Sequence, residues 1–199
     1  RSGWMFARHL RVAEVGLGQR QIESIEDIPQ LPANRYETDV EWTLLAKCVQ
    51  NHVEDDGLDL LPRFQRGHVW SEAQQIAYVE AMLMGVEVSR TLIFNHYEWE
   101  YGANSPPYPK GTMVIVDGLQ RLEAVTRFMR DELPVFGLKL SQFGGRLRFN
   151  NARFHFRILN LPDEAAVIRM YLALNAGGTP HTEQEIERVK ALLNKETTP

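Results

Sequence analysis

From residue 39 onward the chain alternates between two rhythms of apolar side chains, one of helical period and one of short β-prone runs. Val40, Leu44, Leu45, Cys48 and Val49 share a helical face, which predicts a helix from Asp39 to about His52. Asp39 serves there as N-cap, and Glu41 lies in the first turn, where negative charge meets the positive end of the helix dipole. Leu58 to Leu61 reads as a short strand leading into Pro62-Arg63-Phe64-Gln65-Arg66-Gly67. Ser71 and Gln74 carry the signature of a capping box. Ile76, Val79, Met82 and Leu83 line the helix they open, and Gly85 ends it.

Thr91 to Asn95 predicts a strand, and Glu98 to Gly111, with three prolines and two glycines, a loop long enough to act as a lid. Thr112-Met113-Val114-Ile115-Val116 is a continuous β-prone run, the pattern of a strand buried on both faces. It stops at Asp117-Gly118, and Leu122, Val125, Thr126 and Met129 mark a helix beyond. Leu147 to Phe149 and Arg153 to Ile158 flank Asn150-Asn151, a pair tolerant of positive φ, so a hairpin is expected. Pro162-Asp163-Glu164 starts a helix that ends near Asn175-Ala176-Gly177-Gly178. Thr182 with Glu185 opens a last one, to about Asn194. These elements predict an α+β fold, a small mixed sheet flanked by helices. One domain spans residues 39–199, with residues 1–38 as an N-terminal extension or lead-in segment.

Composition narrows the class. At 199 residues, 44% hydrophobic and 24% charged, the chain can bury a core without covalent staples. Its one cysteine, Cys48, cannot close an internal disulfide, which favours a reducing, cytoplasmic setting. The residue itself reads as a small apolar core side chain. No apolar run approaches the ~18 residues of a membrane span, so no membrane partner is expected. The net charge of −4 conceals an asymmetry. Residues 21–60 hold ten acidic side chains against Arg35 and Lys47, whereas Leu133 to Pro162 holds no acid but Lys139, Arg146, Arg148, Arg153 and Arg157.

Three polar turns could carry chemistry. In the first, a buried strand runs through Asp117-Gly118-Leu119-Gln120-Arg121 into a helix. Unpaired N–H groups at a helix start bind anions, Gly118 permits close approach to the main chain, and Arg121 offers a planar fork for phosphate oxygens. Asp117 is placed to hold a divalent cation or orient a water. The same residues also read as a plain strand–turn–helix with a capping Asp and a solvated Arg. The second turn, Arg63 to Trp70, sets Gln65, Arg66, Gly67 and His68 between two aromatic anchors. The third, Asn175 to Thr182, puts paired glycines before a helix start, either as an anion nest or as a joint between helices.

Taken together, the Gln65-Arg66-Gly67-x-x-Trp70 loop, the Asp117-Gly118-x-Gln120-Arg121 turn and the Asn175-x-Gly177-Gly178-Thr179-Pro180 turn resemble the DGQQR-motif family. That family includes the N-terminal domain of GmrSD-type modification-dependent restriction systems and SspE-type defence proteins. The resemblance runs from about Val40 to Leu193. It implies a ParB/sulfiredoxin-like fold that binds and hydrolyses a nucleoside triphosphate with Mg2+, in DNA-modification sensing or phage–host conflict. By that resemblance Asp117, Gln120 and Arg121 are catalytic, with Asp117 also on the metal. Gln65, Arg66, Gly118, Asn175, Gly177, Gly178 and Thr179 bind nucleotide. Leu119 stands where the family has a second glutamine, which puts hydrolysis in question. No His/Asn array follows, so DNA cleavage by this chain alone is not expected.

A further expectation concerns DNA. Arg146 and Arg148 share one strand face, as do Arg153, His155 and Arg157, with Phe149, Phe154, Phe156 and Ile158 opposite. Such a ribbon could lie along phosphates, or simply solvate a hairpin. Two other readings stay open: a non-catalytic DNA- or protein-binding module, such as an inhibitor of a defence complex or the partner of a nuclease, and a metal-dependent nickase.

Overall fold

The computed structural model describes residues 36–65, 67, 69–98, 107–145, 147, 151–175, 188–189 and 191–192. Five strands, β1 (Tyr36–Glu41), β2 (Leu58–Asp59), β3 (Thr91–His96), β4 (Met113–Asp117) and β5 (Arg153–Leu159), form one sheet in the order β1-β5-β3-β4-β2. The sheet is mixed: β1 with β5 and β3 with β4 are antiparallel, β3 with β5 and β2 with β4 parallel. The helices are α1 (Trp42–Asp55), α2 (Glu72–Met84), α3 (Leu119–Met129) and α4 (Glu164–Asn175). The α+β class expected from the sequence is thus the one observed.

Strand alternation assigns the two faces. Leu92, Phe94, Met113, Ile115, Phe154, Phe156 and Ile158 pack with Trp42, Leu45, Val79, Met82, Leu122, Val125 and Phe128 in one core beneath α1, α2 and α3. Ile93, Val114, Val116 and Leu159 face the other way and meet Val167, Ile168 and Tyr171 of α4, together with Phe64 and Val189. Both faces of β3 and β4 are therefore covered, which is why their sequences are continuously apolar. Asn95, buried in the second layer, is satisfied by Leu161, donating to its carbonyl at 3.3 Å and accepting from its N–H at 2.6 Å.

Local signals account for α2. The Ser71 hydroxyl accepts from the Gln74 N–H at 3.3 Å while Gln74 Oε1 accepts from the Ser71 N–H at 2.9 Å. At the other end Gly85 takes φ 79°, and Asn151 Nδ2 donates to the Leu83 carbonyl at 2.9 Å. In α4 the cap is Asp163, whose Oδ1 accepts from the Ala166 N–H at 2.7 Å, and the helix starts at Glu164 rather than at Pro162.

Three expectations change. Asp39 does not cap a helix: residues 36–41 form strand β1, which straddles the expected boundary between 38 and 39, and α1 begins at Trp42. The Trp42 N–H is satisfied by the Ala152 carbonyl at 3.0 Å, so no side-chain cap is needed. Strand β5, expected as one half of a hairpin, pairs instead with β1 and β3 along its two edges, while residues 148–150 of that expected hairpin lie outside the described residues. Finally, Cys48 is half-exposed at the margin of the core rather than inside it.

Candidate functional site

The turn between β4 and α3 is shaped by Gly118. It adopts φ 103°, and an added Cβ would run into Leu92 Cδ2 of β3. Leu92 thus comes close to the main chain here, and the glycine lets α3 start tight against the sheet. The first N–H groups of α3 have no intrahelical acceptor, and they border the cleft that opens here.

Arg121, one turn into α3, folds back over this junction. Its Nη2 donates to Asp117 Oδ2 at 2.5 Å and to the Thr91 carbonyl at 2.9 Å. The side chain is only 15% exposed, against 30% for Asp117, so the pair is largely withdrawn from water, where a broken ion pair is costly. Among the described residues Arg121 Nε is buried without a hydrogen-bond partner. Tyr78 lies in the same electrostatic neighbourhood; burial pushes its hydroxyl pKa up, with Arg121 and Arg90 opposing.

The loop from Arg63 to Trp70 is held against this turn by side chains, not by ladder hydrogen bonds. Gln65 Nε2 donates to the carbonyls of Ile115 and Val116 at 3.3 and 3.2 Å. Gln120 Oε1 accepts from the N–H groups of Val69 and Trp70 at 2.9 and 3.1 Å, and its Nε2 donates to the Gly67 carbonyl at 3.0 Å. Both ends of the Gln120 amide are thus engaged with backbone. Phe64 is fully buried with its ring 5.4 Å from that of Tyr171, and Trp70 packs at the same distance on Tyr78.

A cleft of about 210 Å³ results, lined by Gln65, Trp70, Asp117, Gly118, Leu119, Gln120, Arg121, Tyr171, Leu174 and Asn175. Asn175, at the end of α4, donates from Nδ2 to the Tyr171 carbonyl at 2.8 Å. The described parts of the three polar turns thus meet at one opening. Arg66, Gly177, Gly178 and Thr179 lie outside the described residues, as do Arg146 and Arg148. Among the described residues no group of three or more His, Cys, Asp or Glu could hold a metal ion. The cleft offers one carboxylate, Asp117, a donor set that suits only a cation arriving with phosphate and water ligands of its own.

Two contributors carried no sequence signal. Arg188 donates to the carbonyls of Arg63 at 2.8 Å and of Phe64 and Gln65 at 3.4 Å. Arg63 in turn grips Glu164 at the start of α4, with Nε 2.7 Å from Oε1 and a second bond from Nη2 to Oε2. Their partners lie about a hundred residues away or are main-chain atoms, which no local pattern marks.

The arginine strand has a different environment from the one expected. Arg153 Nη1 lies 2.9 Å from Asp39 Oδ2, Arg157 Nε 2.9 Å from Glu37 Oε1, and His155 Nδ1 3.1 Å from Asp39 Oδ1. The acidic and basic segments of the sequence neutralise one another across β1 and β5, so Arg153 and Arg157 do not form an open cationic ribbon.

No family model matches the chain, and no curated protein sequence matches it. Among solved structures it is similar to the C-terminally truncated chromosome-partitioning protein ParB from Caulobacter crescentus complexed with CTP-gamma-S. Sequence identity is 16%, the TM-score 0.35, and the match covers 82% of this chain and 66% of that one. An overlap at that score carries no functional argument. Among the described residues no helix is long and apolar enough to cross a membrane.

Proposed function

We propose that this domain binds a nucleoside triphosphate in the cleft at the start of α3. What supports the reading is the convergence of Gln65, the Asp117–Arg121 turn and Asn175 on one opening, from three segments far apart in sequence. Phosphate oxygens would meet the first-turn N–H groups of α3 and the Arg121 guanidinium, whose orientation Asp117 and the Thr91 carbonyl fix. Trp70 and Tyr171 give the cleft flat apolar walls suited to a base. Under this reading Arg66, Gly177, Gly178 and Thr179 complete the phosphate contacts, and Mg2+ enters on the nucleotide with Asp117 as its protein carboxylate.

Binding has more support here than hydrolysis. Position 119 is leucine, and the Gln120 amide is engaged with the loop backbone, so neither side chain is left to orient a water. Catalysis in such a site would rest on positioning and charge stabilisation. The link to DNA-modification sensing or phage–host conflict, with a nuclease as partner, rests on the motif resemblance. The DNA-ribbon alternative loses ground because Arg153 and Arg157 already face carboxylates. The nickase alternative lacks a multi-carboxylate metal cluster among the described residues.

Calorimetric titration of the purified protein with ATP, GTP, CTP and UTP, with and without Mg2+, tests the proposal. At least one triphosphate should bind, with affinity falling about tenfold or more in Arg121→Lys, which keeps the charge but loses the fork. Failure of all four to bind defeats the reading. Phosphate release that is equal in the wild type and in Asp117→Asn removes the hydrolytic version alone.

A further inference from the structure

Among the described residues that line the cleft, Asp117 and Arg121 are the charged ones, and they are engaged with each other. Arg121 Nη2 donates both to Asp117 Oδ2 and to the Thr91 carbonyl of β3. Nε, the other donor on that side of the guanidinium, is buried with no acceptor among the described residues. Arg63 shows the completed arrangement in the same chain, its Nε and Nη2 each donating to one oxygen of Glu164. Two oxygens of a carboxylate or a phosphate fill such a fork side-on. At Arg121 the fork is half filled. Asp117 reaches it through one oxygen, from a backbone position fixed at the end of β4 by pairing with Ile93 of β3.

This resting state is unfavourable for an anion on two counts. The carboxylate cancels the positive charge that phosphate would seek, and it occupies the donor that phosphate would use. Two anions at one Nη2 repel each other, and more strongly where the pair is withdrawn from water. The buried Nε, meanwhile, has lost its hydration without gaining a partner. The Thr91 carbonyl is a separate anchor. It is neutral and bonded to the same Nη2, so the guanidinium keeps a pivot on β3 when the carboxylate lets go.

We propose that Asp117 is a built-in competitor for the Arg121 fork: its carboxylate holds the guanidinium at rest, and a phosphate group of the ligand displaces it, taking Nη2 and the unpartnered Nε together. The guanidinium turns on the Thr91 carbonyl as the contact changes hands. This inference rests on the nucleotide reading of the cleft and adds a sign to it. Were Asp117 only to aim Arg121, removing its charge would weaken anion binding. As a competitor, its removal strengthens it.

The test is calorimetric titration of wild type and Asp117→Asn with inorganic tripolyphosphate and with ATP, GTP, CTP and UTP. EDTA is present, so that no cation recruits the carboxylate. Asparagine keeps the size of the side chain and one acceptor oxygen but drops the charge, and affinity should rise about fivefold or more. Unchanged or weaker binding by a folded Asp117→Asn, where the wild type binds, overturns the competition and leaves the nucleotide reading standing. No binding of any of these anions by either protein, with or without Mg2+, defeats the nucleotide reading and this inference with it. Should Asp117→Asn fail to fold, isotope-labelled NMR of the wild type decides. The Arg121 Nε–H resonance, assigned by its loss in Arg121→Lys, should move downfield with tripolyphosphate as the group gains an acceptor. A resonance that stays in place while the anion binds overturns the proposal.

Discussion

Gln120 and Trp70 are joined by a hydrogen bond across fifty residues of sequence, the indole residue's backbone N–H donating to the glutamine Oε1 at 3.1 Å. With Val69 and Gly67 also held, one amide fixes the wall of the cleft. Gln120→Ala should leave three loop groups without their partner and lower stability by about 1–3 kcal/mol. Nucleotide affinity should fall with it, because Trp70 is no longer held in place. Gln120→Glu keeps the acceptor but sets a carboxylate against the Gly67 carbonyl, so it should rank between wild type and alanine. Urea unfolding and nucleotide titration of the three proteins check the order.

Gly118 and Gly67 make a matched contrast. An alanine at 118 is strained by φ 103° and meets Leu92, whereas at 67 nothing lies within 4 Å of the added Cβ. Gly118→Ala should cost about 2 kcal/mol or more from backbone strain and the clash, and Gly67→Ala should stay within about 0.5 kcal/mol of wild type. Thermal melts measure both. Equal melting points would mean that the turn is not held against β3 as described.

The contrast also marks what the sequence could tell. The capping box at Ser71 and Gln74, the apolar run of β4 and the Asp117-Gly118 break were legible because each is set by residues a few positions apart. Strand β1 was not. Glu37, Asp39 and Glu41 alternate with Tyr36, Thr38 and Val40, of which only Val40 is buried, so no apolar rhythm announces a strand. Its register is set by Arg157, His155 and Arg153, which lie directly across in β5. For the same reason the arginine strand looked like a free ribbon until its acidic partner was in place. In the cleft, residue types pointed to Asp117 and Arg121, but only the fold shows that Gln65 and Gln120 hold backbone.

Charge matching across β1 and β5 can be tested by reversal. Arg157→Glu puts a carboxylate beside Glu37 and should destabilise only modestly, since the pair is exposed and screened by water. Combining it with Glu37→Arg should restore most of that loss. A double-mutant cycle with no coupling would remove the ladder as a determinant of register.

His52 and His96 should bend the pH profile of stability in opposite directions. Despite burial, Asp56 and Cys48 hold the His52 pKa at about 9, above its ordinary 6.5. A raised folded value means that the stabilisation is full below 6.5 and drains as pH climbs toward 9, a loss on the order of 2–3 kcal/mol. Burial holds His96 below 6.5, against the attraction of Asp56 and Glu98. The unfolded chain then takes the proton first, so stability also falls as pH drops beneath 6.5. Urea unfolding across this range should show both limbs, and His52→Gln should flatten the alkaline one only.

Arg188 gives the sharpest separation between fold and site. Its guanidinium reaches three successive carbonyls, those of Arg63, Phe64 and Gln65, and so ties the C-terminal helical segment to the loop that presents Gln65 to the cleft. A planar fork can serve several acceptors at once, whereas an ammonium supplies a point charge that cannot match the same set. Arg188→Lys should therefore keep the net charge and most of the stability, yet loosen the loop. Because Val189 beside it is buried against Tyr171's cluster, the helical segment itself should stay docked. The expected result is a melting temperature within a few degrees of wild type and nucleotide affinity reduced by about threefold to tenfold, read by calorimetry. Amide hydrogen exchange should rise at residues 63–65 and remain unchanged in β4. Unaltered exchange at 63–65 would show that Gln65 and Phe64 hold the loop without the clamp.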